Sequence, residues 1–156
     1  MRLGLWIATL LLFSACQSAS AAAPLFHPLS IESAEDLAPP VLRSRTAQVQ
    51  FSALNGDAQT PTVGAAFTLN LFEDLQLACV VTETTPSKGG GWIVNARIEP
   101  PSSGNATLTM KEGVLVGAVY LGPIQYRIRY LGDGAHRIEE INPSQFPPDS
   151  APIPAP

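Results

Sequence analysis

At 156 residues, with 46% hydrophobic and only 14% charged side chains, the chain holds enough material for one domain with an apolar core. Nine Lys and Arg are scattered among thirteen Asp and Glu, so the net charge of −4 excludes the basic stripe that nucleic acid requires. Two cysteines, Cys16 and Cys79, are too few for a disulfide scaffold, and stability must come from the core.

Met1-Arg2 gives a positive start, residues 5–13 an apolar run and residues 14–23 a series of small side chains. This is the layout of a secretory signal peptide over residues 1–21, with a run too short to span a bilayer. Two processing routes fit. Ala19 and Ala21 allow cleavage before Ala22, while Leu12-Phe13-Ser14-Ala15-Cys16 resembles a bacterial lipobox, with Phe13 where leucine is usual and Cys16 as the lipidated residue. Export is expected, to the periplasm, to the outer membrane as a lipoprotein or to the medium, with membrane contact only through an anchor at Cys16.

Residues 22–40 combine Ala, Pro and Ser with Glu32, Glu35 and Asp36 and end in Pro39-Pro40. They read as a flexible tether with at most one helical turn capped by Ser33. His27 lies in this tether without a second donor at ligand spacing, as a solvated histidine would.

From Val41 the pattern changes to alternation. Ala47, Val49, Phe51 and Ala53 share one face of a strand, Phe67, Leu69 and Leu71 a face of the next, and Leu75, Leu77, Cys79 and Val81 a face of a third. Cys79 is therefore expected to pack inward as a small apolar residue. Gly89-Gly90-Gly91 forms a hairpin loop before the strand at 92–99, and residues 100–105 turn the chain into Ala106, Leu108 and Met110. Lys111-Glu112-Gly113 turns again into 114–120, where Gly117 marks a bulge or a close backbone approach. Ile124, Tyr126, Ile128 and Tyr130 alternate with Gln125, Arg127 and Arg129, so one face is apolar and the other basic. Gly132-Asp133-Gly134 signals a hairpin into a last strand at 135–141. The expected fold is all-β over residues 41–143, a single antiparallel sandwich or partly open barrel of about 7–8 short strands. Residues 144–156 read as an extended Pro-rich tail.

Reaction chemistry is poorly provided for. There is no H-E-x-x-H, no phosphate loop and no dinucleotide glycine fingerprint, so neither a metal site nor a cofactor is expected. His136, the only histidine in the β region, sits among Arg137, Glu139 and Glu140 and reads as an exposed strand residue. Glu139 and Glu140 are adjacent in a strand, point to opposite faces and cannot flank one substrate atom. The chain is expected to be non-enzymatic. Asn105-Ala106-Thr107 matches a glycosylation sequon, which reads as a chance match if the lipobox marks a bacterial source. Arg127 and Arg129 are the candidate partner-binding face, beside the ordinary alternative of a solvated strand.

Five segments carry a resemblance. They are Thr68-Leu69-Asn70-Leu71-Phe72 with Glu73-Asp74; Gly91-Trp92 followed by Ala96-Arg97-Ile98-Glu99; Ser103-Gly104-Asn105-Ala106-Thr107; Glu112-Gly113 leading to Gly117; and Tyr126-Arg127-Ile128-Arg129 followed by Gly132-Asp133-Gly134-Ala135-His136. In order and spacing they resemble the N-terminal prodomain of secreted reprolysin-type (M12) zinc metallopeptidases. The resemblance implies a non-catalytic segment that assists folding of a peptidase and keeps it latent. Its partner would be such a peptidase or another envelope protein. The part corresponding to the catalytic domain is not matched, which implies a copy acting in trans, a remnant of a longer peptidase, or a structural envelope domain. Some propeptides of the wider group block zinc with a cysteine thiolate, a role that an inward Cys79 does not suit.

Overall fold

Alternating residues from Ala66 onward fold into seven consecutive strands, each turned back on the one before. The computed structural model describes residues 22–29, 39–55 and 60–146. Cys16, the signal-peptide region, the middle of the expected tether with Ser33 and its acidic residues, and the end of the Pro-rich tail lie outside them. The strands are β1 (Phe26–Pro28), β2 (Val41–Val49), β3 (Ala66–Phe72), β4 (Leu75–Pro86), β5 (Trp92–Ile98), β6 (Gly104–Lys111), β7 (Val114–Leu121), β8 (Ile124–Gly132) and β9 (Ala135–Ile141). A single helical turn, α1 (Ser52–Asn55), follows β2, and a 3-10 turn at Pro143–Gln145 follows β9.

The strands form one sheet in the order β1-β2-β9-β8-β7-β6-β5-β4-β3, with every neighbouring pair antiparallel. The two end strands then meet. Pro24 bridges Thr68 in parallel, the Leu25 amide donates to the Thr68 carbonyl at 2.9 Å, and the Thr68 amide donates to the Ala23 carbonyl at 2.9 Å. The sheet therefore curls into a nearly closed barrel, and of the two expected architectures the sandwich is set aside.

Residues of one parity from every long strand fill the interior: Phe67, Leu69, Leu77, Val94, Leu108, Leu115, Val119, Ile128 and Ile138 are all buried in one cluster. Each fully buried Leu, Ile or Phe contributes about 1.5–3 kcal/mol of transfer free energy, so the interior is the main source of stability. Gly117 belongs to this face. A Cβ there would lie 2.4 Å from the Thr107 carbonyl oxygen, while β6 and β7 keep unbroken register from Gly104↔Leu121 to Lys111↔Val114. The glycine marks a close backbone approach, with no bulge. At the β8–β9 turn, Asp133 (φ 50°) and Gly134 (φ 76°) take the left-handed conformations that a tight hairpin needs.

Three expectations need correction. Residues 22–29 are no tether: Leu25 and Phe26 are fully buried and β1 is a ninth strand. The segment between Pro24 and Pro28 carries no alternation, and the strand Phe26–Pro28 comes from pairing with β2. The first long strand stops at Val49, because Ala53 and Leu54 are neighbours in sequence and both buried, which a helical turn achieves and a strand does not. Asn105, expected to end the turn over residues 100–105, lies within β6 and pairs with Arg97 and Tyr120.

Below the short β1, no backbone pairing joins β2 to β3, and side chains span the gap. Asn70 uses its amide as a strand would: Nδ2 donates to the Phe26 carbonyl at 2.7 Å and Oδ1 accepts from the Phe26 amide at 2.9 Å. Farther along, the Arg45 guanidinium donates through Nε to the Leu71 carbonyl and through Nη2 to the Asn70 carbonyl.

Candidate functional site

In β2 the inward positions of Ala47 and Val49 continue back to Arg45 and Arg43, so two arginines enter the barrel end beside the β2–β3 gap. Together with Phe72, Glu73 and Asp74 they line an open groove of about 310 Å³. Arg43 donates from Nε to Glu140 Oε2 at 2.6 Å and from Nη1 to both Asp74 oxygens at 2.7 and 2.9 Å. Its guanidinium lies 4.0 Å over the Phe72 ring, and that ring meets Tyr126 with centroids 6.3 Å apart. The hydrogen bond from Arg43 holds the Asp74 carboxyl below its usual range, and the same bond raises the Arg43 pKa. Burial pulls the Arg45 pKa down and pushes the Tyr126 phenol up. The groove's strong donors are thus directed at acceptors of the chain itself, an arrangement suited to holding the barrel end together.

Cys79 packs inward as expected, and burial pushes its thiol up to about 12. The sulfur donates only a weak contact to the Leu77 carbonyl, 3.6 Å away, and stays protonated at neutral pH. A zinc-blocking thiolate would need the opposite environment.

His136 departs from its expected exposed position: it is 0% exposed and faces the interior with Ile138. Nε2 accepts from the Leu115 amide at 3.1 Å and Nδ1 lies 3.0 Å from the Gly134 carbonyl, so the proton sits on Nδ1 and the ring is neutral. The Tyr130 ring packs against it at 5.2 Å. Burial lowers its pKa from the ordinary 6.5, with the Gly134 carbonyl acting weakly the other way. Such a histidine binds its proton more readily in the unfolded chain. Its contribution to stability is therefore complete above about pH 6.5 and is lost as pH falls through the depressed folded value. We expect the free energy of unfolding to decline between about pH 7 and 5, before most carboxylates titrate, and His136→Gln to flatten that decline. Equal slopes for the two proteins in denaturant titrations would refute this role.

Arg127 and Arg129 lie on the outer face of β8, as the alternation indicates. Arg127 Nε donates to Glu139 Oε2 at 2.7 Å, and Arg129 Nη1 stands 3.6 Å from Glu139 Oε1. Their side chains are 42% and 56% exposed, above a Glu139 that is itself buried. Glu139 and Glu140 do serve opposite faces, Glu140 pairing with Arg43 inside. His27 is exposed in β1 opposite Gln48. Among the described residues no three His, Cys, Asp or Glu side chains gather where they could hold a metal ion, and no helix is long and apolar enough to cross a membrane.

No protein-family model matches the chain, and neither the curated proteins nor the solved structures include a match to it.

Proposed function

We propose that the protein is an exported, non-catalytic β-barrel domain that acts by contact on a protein partner, in the manner of the metallopeptidase prodomains it resembles in sequence. The observation that carries this reading is the engagement of its reactive groups. His136 is spent on two backbone groups, Cys79 is a buried thiol, and Glu139 and Glu140 each neutralise arginines on separate faces. The outer face instead offers arginine to solvent, which suits recognition of another surface. The partner is a reprolysin-type zinc peptidase, and because Cys79 is inaccessible the effect on it comes through surface docking, without a thiolate on zinc. Co-expression with such a peptidase deprived of its own prodomain tests the reading. A gain in soluble peptidase, or a fall in its activity on adding the purified protein, is the expected result. If both are unchanged, the peptidase reading fails.

A structural envelope lipoprotein is the second reading, favoured by Cys16 at the end of Leu12-Phe13-Ser14-Ala15-Cys16. Palmitate labelling and the mass of the mature N-terminus separate an anchored from a released form.

A further inference from the structure

The β8–β9 register places like charges together on the outer face. Arg129 stands directly opposite Arg137, and Arg127 directly opposite Glu139, so that Arg127 and Arg129 share one buried carboxylate. Two exposed guanidinium groups on one carboxylate leave that group of three positive in a chain whose net charge is −4, which favours an anionic partner.

The geometry of the donors agrees. A guanidinium offers five N–H groups. Arg127 spends Nε on Glu139, and its terminal nitrogens have no hydrogen-bond acceptor among the described residues. Arg129 reaches Glu139 only at 3.6 Å, beyond hydrogen-bonding distance, and keeps its donors for a better acceptor. Glu139 fixes the Arg127 guanidinium by a hydrogen bond and attracts that of Arg129, so part of the ordering cost is met before any ligand arrives. Beside them on β7, Ala118 is in register with Arg127, and Val116 and Tyr120, two positions to either side, are 40% and 45% exposed. Arginine and tyrosine around a small residue are the side chains that anchor protein interfaces.

We infer that the outer face of β7, β8 and β9 is a docking surface for an acidic, extended segment of a partner protein, whose carboxylates pair with Arg127 and Arg129 while an apolar side chain rests on Val116 and Tyr120. The inference extends the contact function proposed above and names the chemistry of the partner. An anionic bilayer shares the charge but would be repelled by the rest of an acidic chain, so a peptide is the better complement.

The full chain titrated against a fluorescein-labelled Glu-Leu-Glu-Ser-Glu peptide, read by anisotropy, tests this. Saturable binding is expected, with none to the lysine counterpart, and it should fade on raising ionic strength to about 0.5 M. The Arg127→Ala/Arg129→Ala double variant should bind on the order of tenfold more weakly. Arg129→Ala alone, at an exposed position, should weaken binding with an unchanged thermal midpoint, which separates lost contact from lost fold. Arg97→Ala, whose guanidinium already meets Glu99 at 2.7 Å, should leave binding unchanged. Absence of binding to the acidic peptide, undiminished binding by the double variant, or binding only to phosphatidylglycerol vesicles would each overturn the inference. The peptidase co-expression separates the two claims. If the wild type and the double variant help or inhibit the peptidase equally, this surface is wrong and the contact function stands. If the wild type itself has no effect, the peptidase reading fails while the anisotropy still decides the surface.

Discussion

Arg45→Met is expected to lower the free energy of unfolding by about 2–4 kcal/mol. Hydrogen bonds from a charged donor are worth about 1.5–3 kcal/mol each, and Arg45 makes two, to the Leu71 and Asn70 carbonyls across the gap between β2 and β3. Methionine keeps the packing of the stem, so the loss isolates the guanidinium. Part of the loss is offset, because the native protein keeps a partly buried cation without a carboxylate bonded to it. The balance favours a loss because both carbonyls would then depend on water entering the seam. Urea unfolding followed by the fluorescence of Trp92 measures the change, and Arg97→Met, at an exposed ion pair, should stay within about 0.5 kcal/mol of the wild type. A loss under about 1 kcal/mol for Arg45→Met would show that the gap closes without it.

Asn70→Ala acts on the same gap from the other strand. It removes the side chain that both accepts from the Phe26 amide and donates to the Phe26 carbonyl, and a cost of about 2–3 kcal/mol follows from leaving those groups unpaired next to a buried ring. Asn70→Asp is the sharper variant. It keeps the acceptor but sets a carboxylate oxygen against the Phe26 carbonyl, so it should be no better than alanine. Hydrogen exchange offers a local readout: the Leu25 and Phe26 amides should exchange faster while those of β6 keep their protection. The Arg45→Met/Asn70→Ala pair should be non-additive, since both side chains hold one edge. Strict additivity would mean that the two operate independently.

Much of this fold was legible from alternation because in β3 through β9 each strand pairs with its neighbour in sequence, and turn residues such as Asp133-Gly134 mark each reversal. What escaped is what depends on distant pairing. Phe26–Pro28 becomes a strand, and Leu25 is buried beside it, only because β2 and β3 pass on either side of this segment. His136 shares its parity with Ile138, which was a readable sign of an inward side chain, but the charges at Arg137, Glu139 and Glu140 masked it. Arg43 and Arg45 have the parity of Ala47 and Val49, and charge at an inward position was the available signal for the seam. On the outer face, Arg127 and Arg129 follow from β8 alone, whereas their grouping with Glu139 and Arg137 is a property of register between two strands, fixed by the hairpin geometry.

The fastening of β1 into the barrel also sets a distance. If Cys16 carries lipid, the chain from there to Ala22, the first of the described residues, spans at most roughly 20 Å when fully drawn out. Starting instead at Val41, the same anchor would allow a reach of roughly 80 Å. An anchored barrel would then ride close against the headgroups, with little freedom to survey the space above them.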